Sequence, residues 1–251
     1  MSPCDRVLVT GGASGLGAAT AERFAKEGAH VLVFDRDAKG AEEVAGRIGG
    51  RAVVGDVTDE AAVARAMATD VAMGPLRVVV AAAGIGWAQR TLAFDGAAHG
   101  VDAFRRVLEV NLLGTFVVLR TAAAVMARQE PVDGVRGVLV ATASAAAMEG
   151  QAGQVAYAAS KAGVVGMTLP MARDLAPVGI RVFTVAPGLF DTPLLGMLPQ
   201  DKRDALASQV LTPPRLGKAE EFADLVAALV RNPYVNGEVV RLDGGLRLPP
   251  R

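Results

Sequence analysis

Tyr157 and Lys161 stand four residues apart in the segment Tyr-Ala-Ala-Ser-Lys, which has helical spacing. Positions i and i+4 share one helix face, so a phenol and an ammonium are expected side by side. Tyrosine ionises near pH 10 and is by itself a poor acid or base at neutral pH. A neighbouring ammonium favours the phenolate and lowers that value, which makes the pair a candidate general acid/base acting on an oxygen-bound proton. A Y-x-x-x-K spacing alone is common, and two further polar residues give it weight. Ser144 comes directly after a strand-like run at 138–142, where its hydroxyl is expected to hold a carbonyl or alcohol oxygen. Asn111 lies inside a long helical segment, although asparagine is not an especially good helix former. It is expected to bond backbone or water near the lysine.

A second chemical signal sits near the start of the chain. Thr10-Gly11-Gly12-Ala13-Ser14-Gly15-Leu16-Gly17 follows one apolar run and opens a helical one. Small residues let backbone approach a pyrophosphate, and the helix N-terminus supplies N–H groups and a positive dipole end. Glycines at 11, 15 and 17 give G-x-x-x-G-x-G rather than the commoner G-x-G-x-x-G. Asp35 closes the next strand about 20 residues on, where a carboxylate can accept hydrogen bonds from an adenosine ribose. That carboxylate repels a 2′-phosphate, whereas the adjacent Arg36 is able to receive one; NAD is the expected cofactor. Asp56 and Val57 end the third strand, where a side chain and a backbone amide can hold an adenine.

These residues need a scaffold, and the pattern supplies one. Strand-like runs at 7–10, 31–34, 52–54, 78–81, 138–142, 181–185 and 239–242 alternate with helical runs. The helices are read at 18–26 (ended by Gly28), 42–47, after a Thr58 cap, and at 102–128, 155–175 (with a kink at Pro170) and 220–230. Several strands are continuously apolar, the mark of parallel strands covered on both faces. The expectation is one doubly wound Rossmann-type α/β domain over residues 1–251, with a seven-stranded parallel sheet and right-handed crossovers. Residues 86–100 and 129–137 read as insertions or long loops. So does 191–217, which holds four prolines and has helical pieces of its own.

Composition narrows the function. The chain has 251 residues, with 26 basic and 26 acidic side chains, so no overall basic field favours nucleic acid or an anionic membrane. Cys4 is the single cysteine, which excludes an intrachain disulfide. His30 and His99 are expected to be structural or solvated. No His/Cys cluster suggests zinc, and no metal is expected. Asp5 and Arg6 interrupt any signal-peptide pattern. The longest apolar stretches, near 78–83 and 112–119, fall short of the roughly 20 residues of a membrane span. A soluble, cytoplasmic protein is expected.

Taken together, T-G-G-A-S-G-L-G, Asp35, Asp56-Val57, Asn111, Ser144, Y-A-A-S-K and Pro187-Gly188 resemble the short-chain dehydrogenase/reductase family across essentially the whole chain. The resemblance implies that Tyr157 is the acid/base, and that Lys161 binds the nicotinamide ribose and lowers the tyrosine pKa. It further implies that Ser144 orients substrate and Asn111 supports a water-linked proton relay. Cofactor contacts are implied for Gly11, Ser14, Leu16, Gly17, Asp35, Asp56, Val57, Ala82, Ala83, Gly84, Tyr157 and Lys161. After the sixth strand they are implied for Pro187, Gly188, Leu189, Phe190 and Thr192. Ala81 departs from the pattern: the family usually carries asparagine there, and alanine cannot make its side-chain hydrogen bonds.

Segments 142–161, 166–182, 186–195 and 236–244 further resemble the type 2 3-hydroxyacyl-CoA dehydrogenase branch, and both insertions fit it. That likeness implies NAD-dependent, reversible oxidation of 3-hydroxyacyl-CoA to 3-oxoacyl-CoA by a homotetramer, within fatty acid metabolism. It also implies a substrate-binding segment at about 189–217 and a substrate contact from Gln154, three residues before Tyr157. The competing readings are a family member acting on a steroid or other secondary alcohol, and a non-catalytic nucleotide-binding interaction subunit. No nucleic acid or membrane partner is expected.

Overall fold

The computed structural model describes residues 5–196 and 199–250; Cys4 and Met197 lie outside them. In chain order the elements are β1 Arg6–Thr10, α1 Gly15–Lys26, β2 His30–Asp35, α2 Ala38–Ile48, β3 Arg51–Val54, α3 Glu60–Ala68 and β4 Leu76–Ala81. Then come α4 Val101–Leu108, α5 Gly114–Met126, β5 Gly137–Thr142, α6 Ala146–Glu149, α7 Val155–Leu175 and β6 Ile180–Pro187. The last are α8 Pro193–Gly196, α9 Gln200–Ala207, α10 Ala219–Arg231 and β7 Val239–Leu242.

The seven strands form one sheet in the order β3-β2-β1-β4-β5-β6-β7, and every neighbouring pair is parallel. The pleat divides the apolar runs between two cores. Leu8, Leu32, Val79, Leu139 and Val182 face one, with Val117 and Val118 of α5 and Val164 of α7. Val7, Val9, Val33, Val80, Val140 and Val185 face the other, with Phe24 of α1, Val44 of α2 and Phe222 and Val226 of α10. Both faces are therefore covered, which is why these strands read as unbroken hydrophobic runs. The strand order reverses between β1 and β4, which sets a crevice at the carboxyl ends of the strands there.

Several local expectations change in the structure. Asp59, not Thr58, caps α3: its carboxylate accepts from the Ala61 and Ala62 amides at 2.9 and 3.1 Å. The Thr58 amide and hydroxyl instead donate to Asp56. The second helix begins earlier than its apolar periodicity indicated, because Asp37 caps it by accepting from the Gly40 amide. The segment read as one helix over 102–128 is broken by a π-helical turn, Glu109–Leu113, with Asn111 at its centre. Pro170 lies inside α7, and the helix continues past it to Leu175. His30 pairs with Asp70 at 2.8 Å, and His99 stacks edge-on against Phe104.

The run Val101–Met126, in which an 18-residue window has mean hydropathy 1.5, is long and apolar enough to cross a membrane by length and composition. The sequence reading had found no such stretch, because it judged only unbroken apolar runs. In the fold, residues of this segment such as Val117, Val118, Leu119 and Ala122 are packed into the core beside β4 and β5.

Candidate active site

A cavity of about 400 Å³ runs along the carboxyl ends of the strands. Its lining passes from Asp56 and Val57 beyond β3 to Asp35 of β2, then the glycine loop beyond β1 and Ala82–Gly84 beyond β4. It ends at Thr142 of β5, Tyr157 and Lys161 of α7, Pro187 of β6 and Thr192. The volume falls within the usual range of small-molecule sites.

The glycine loop is shaped for close backbone approach. Gly11 has φ +67°, and a Cβ there would lie 2.7 Å from the Ala83 nitrogen. A Cβ on Gly17 would lie 2.1 Å from the Gly11 carbonyl oxygen, so no larger residue can start α1 in this way. Ser14, the N-cap of α1, has an extended backbone and makes no side-chain cap bond, which leaves the helix's first N–H groups facing the crevice. Asp35 Oδ2 accepts from the Ala13 amide at 3.1 Å, and Oδ1 from the Asp37 amide at 3.0 Å. The carboxylate thus locks the loop to the end of β2. Burial pushes the Asp56 carboxyl up, but two bonds from Thr58 and the Arg106 and Arg36 guanidinium groups outweigh it and hold its pKa below the ordinary value. This extended, glycine-floored slot, with a helix N-terminus in the middle and carboxylates at one end, fits a dinucleotide.

The other end of the slot carries the polar cluster. The first turns of α7 bring Tyr157 and Lys161 onto one face, with the ammonium 5.8 Å from the ring centroid. Lys161 Nζ donates to the Thr142 carbonyl at 2.8 Å. Ser144, in the turn between β5 and α6, stands close enough to the Tyr157 hydroxyl to lower its pKa, and it accepts from the Ala146 amide at 3.2 Å. The Ala145 amide donates to the Pro187 carbonyl at 2.8 Å, tying this turn to the end of β6. The expected lowering of the tyrosine pKa is not found. Burial is the larger influence and raises the phenol, while the Ser144 side chain pulls it back only in part. Burial also lowers Lys161 to about 8.

Asn111 is fully buried. Its side chain clamps Ile85 at two points, accepting from the amide at 2.8 Å and donating to the carbonyl at 2.9 Å. It also donates to Ser160 Oγ at 3.1 Å. The backbone bond anticipated for Asn111 is therefore present. The Thr115 hydroxyl donates to the Asn111 carbonyl, which helps hold the widened turn that aims Asn111 inward. The loop after β4 is braced despite Ala81. Thr10 receives the Ala82 amide on its carbonyl and the Ala83 amide on its hydroxyl. Gly84 packs closely on this clamp: a Cβ there would lie 3.2 Å from Asn111 Oδ1, a tight contact that the amide would have to relieve.

Most of the anticipated cofactor residues line the slot: Gly11, Ser14, Leu16, Gly17, Asp35, Asp56, Val57, Ala82, Ala83, Gly84, Tyr157, Lys161, Pro187 and Thr192. Phe190 does not. It is buried against Phe222 and Gly217, and it lines a separate cavity of about 190 Å³. Gly188 packs on Asp243, where a Cβ would lie 2.7 Å from the Asp243 Cβ. Gln154 is also outside the lining; its Oε1 accepts from the Gln151 amide at 3.0 Å. Sequence reading passed over Ile85, Val110, Thr142 and Ala143, which do line the slot. They look like ordinary core residues, and only their adjacency to Gly84, Asn111 and Ser144 marked them.

The family model described as short chain dehydrogenase matches residues 5–203. A human protein named 3-hydroxyacyl-CoA dehydrogenase type-2 is 52% identical over 248 residues, covering 97% of this chain and 95% of that protein. A Drosophila melanogaster protein of the same name is 51% identical, covering 97% of each. The crystal structure of 3-hydroxyacyl-CoA dehydrogenase type-2 from Mycobacterium avium superposes with TM-score 0.95 at 43% identity, covering 98% of this chain and 97% of that one. That of a 3-ketoacyl-(acyl-carrier-protein) reductase from Brucella melitensis, complexed with NADH, gives 0.84 at 29% identity, with 97% and 98% covered. The family and this NADH-bound neighbour point to a nicotinamide cofactor. With the cluster at the head of α7 seated at one end of a dinucleotide slot, and relatives half identical along nearly their whole length, the chain belongs to the short-chain dehydrogenase family of oxidoreductases.

Proposed function

We propose that this chain is an NAD-dependent dehydrogenase that reversibly oxidises 3-hydroxyacyl-CoA thioesters to 3-oxoacyl-CoA, a reaction of fatty acid metabolism. One observation carries the chemistry: Tyr157 and the buried Lys161 line the end of the slot beside the turn that carries Ser144, with Lys161 held by the Thr142 carbonyl. The names of the half-identical relatives support the substrate class. The Asp35 carboxylate at the far end supports NAD over NADP, since it disfavours a 2′-phosphate.

In this reading Tyr157 removes the proton from the substrate hydroxyl, and Ser144 donates a hydrogen bond to the same oxygen as it becomes a carbonyl. NAD held along this slot would supply the acceptor for the carbinol hydride, and a cationic ring beside Tyr157 would favour the phenolate that burial alone opposes. Lys161, held by the Thr142 carbonyl, binds the nicotinamide ribose and passes the proton outward. Asn111 fixes the Ile85 backbone beside that route. The segment 189–217 shapes the substrate side, and Gln154 borders it.

The assembly we propose is a cytoplasmic homotetramer; exposed Leu113 of the π-helical turn, Phe116 of α5 and Leu169 of α7 support association of copies, and light scattering should give about four chain masses. The function is tested by reduction of acetoacetyl-CoA with NADH, set against a panel of steroid and simple ketones. A kcat/KM highest for the thioester is expected. A ketone preferred over it, with NADH binding intact, would transfer the assignment to a different secondary alcohol.

A further inference from the structure

Thr142 closes β5 and is 6% exposed. Its carbonyl holds Lys161 Nζ, and the residue lines the large cavity. Its hydroxyl has no hydrogen-bond partner among the described residues. The other buried threonines are all satisfied: Thr10 receives the Ala83 amide, Thr20 donates to Leu16, Thr115 donates to Asn111, and Thr168 and Thr184 bond each other at 2.6 Å. Five buried side-chain polar atoms lack a partner among the described residues, and Thr142 Oγ1 alone belongs to a residue of this cavity. A buried hydroxyl without a partner is unfavourable, so one kept at the carboxyl edge of the sheet, on a residue of the cavity lining, points to a partner supplied by the ligand.

The position in the slot identifies that partner. Asp35 and Asp56 mark the adenosine end, beyond β2 and β3, whereas Thr142 is at the opposite end with Tyr157, Lys161, Pro187 and Thr192. We propose that the Thr142 hydroxyl is a binding group that hydrogen-bonds the nicotinamide-riboside half of the cofactor. The inference rests on the nicotinamide reading above. It gives Thr142 two tasks, its carbonyl fixing Lys161 and its side chain gripping the ligand.

The test is Thr142→Val, which keeps the shape and removes the hydroxyl, with Thr142→Ser as the conservative control. Dissociation constants for NADH and for ADP, which lacks the whole nicotinamide riboside, are measured by calorimetry, together with the ligand-free melting temperature. For Thr142→Val we expect about tenfold weaker NADH binding, the size of one lost hydrogen bond. ADP binding should be unchanged, the ligand-free melting temperature equal or higher, and Thr142→Ser close to wild type. NADH affinity within twofold of wild type would overturn the inference. So would equal weakening of ADP, which assigns the hydroxyl to the other half, or a lowered ligand-free melting temperature, which makes it structural. Failure of the wild-type protein to bind NADH at all would remove the nicotinamide reading and this inference together.

Discussion

Burial acts in opposite directions on the two titrating side chains of the cluster, and in both cases it favours the neutral form. The Tyr157 phenol is raised and the Lys161 ammonium is lowered to about 8. A lysine whose folded value lies below its unfolded 10.5 binds fewer protons when folded, so the stability of the ligand-free protein rises as pH climbs from about 8 toward 10.5. Lys161→Met removes that burden. The variant is expected to be more stable than wild type at pH 7 by about 1–3 kcal/mol, with the gap narrowing by pH 10. Urea unfolding at both pH values checks this; a gap that stays constant with pH would show that Lys161 carries no charge worth relieving. The spacing of Tyr157 and Lys161 was legible in the sequence because a helix converts four residues into adjacency. The direction of the tyrosine shift was not, because it depends on how deeply the phenol sits, which only the packing of α7 against β5 and the Ser144 turn decides.

Among the elements, the turn carrying Ser144 and the start of α7 is braced from the far end of the chain. Glu149, the last residue of α6, accepts from Arg241 at 2.8 and 3.3 Å and from the Leu248 amide at 3.0 Å. Arg247 lies 3.3 Å away. Gln151 and Ala152 add bonds to the Pro249 and Pro250 carbonyls. The bonds from Arg241 and the Leu248 amide, with the charges of Arg241 and Arg247, hold the Glu149 carboxyl below its ordinary value. A carboxylate lowered in this way contributes stability above its unfolded pKa, and that contribution is lost as pH falls through the folded one. Glu149→Gln is expected to lose about 1–2 kcal/mol at pH 7, with the difference from wild type shrinking below about pH 4. Equal loss at both pH values in chemical denaturation would mean that packing, not charge, holds the strap.

This contact between α6 and the segment after β7 spans about a hundred residues of sequence and has no periodic signal, so the sequence did not reveal it. The π-helical turn at Asn111 was equally hidden, since apolar periodicity continues across it; only the odd presence of a buried asparagine hinted at a break. Thr58 and Asp59 show the same limit at smaller scale. Both residue types cap helices well, and Asp56 settles the choice by engaging Thr58 first.

For the whole molecule, seven strand-like runs alternating with helices, several of them continuously apolar, predicted the all-parallel sheet, because covering both faces leaves no polar alternation to confuse the reading. The crevice follows from the strand order, and Asp35, the glycine loop and the cluster on α7 fall along it in the order of the strands that carry them, not of the chain. Phe190 went astray because a residue just past a strand end can turn either into the crevice or behind it, and the packing of Phe222 and Gly217 took it behind. The account depends on Tyr157 exchanging a proton with the substrate at one end of that crevice while the cofactor is held along the rest. The most direct test is acetoacetyl-CoA reduction, followed as loss of NADH absorbance, in wild type and Tyr157→Phe, with NADH binding measured on both. We predict turnover in the wild type, a drop of about 10²–10⁴-fold in kcat in the variant, and unchanged NADH affinity. Near-wild-type turnover in Tyr157→Phe would contradict the account.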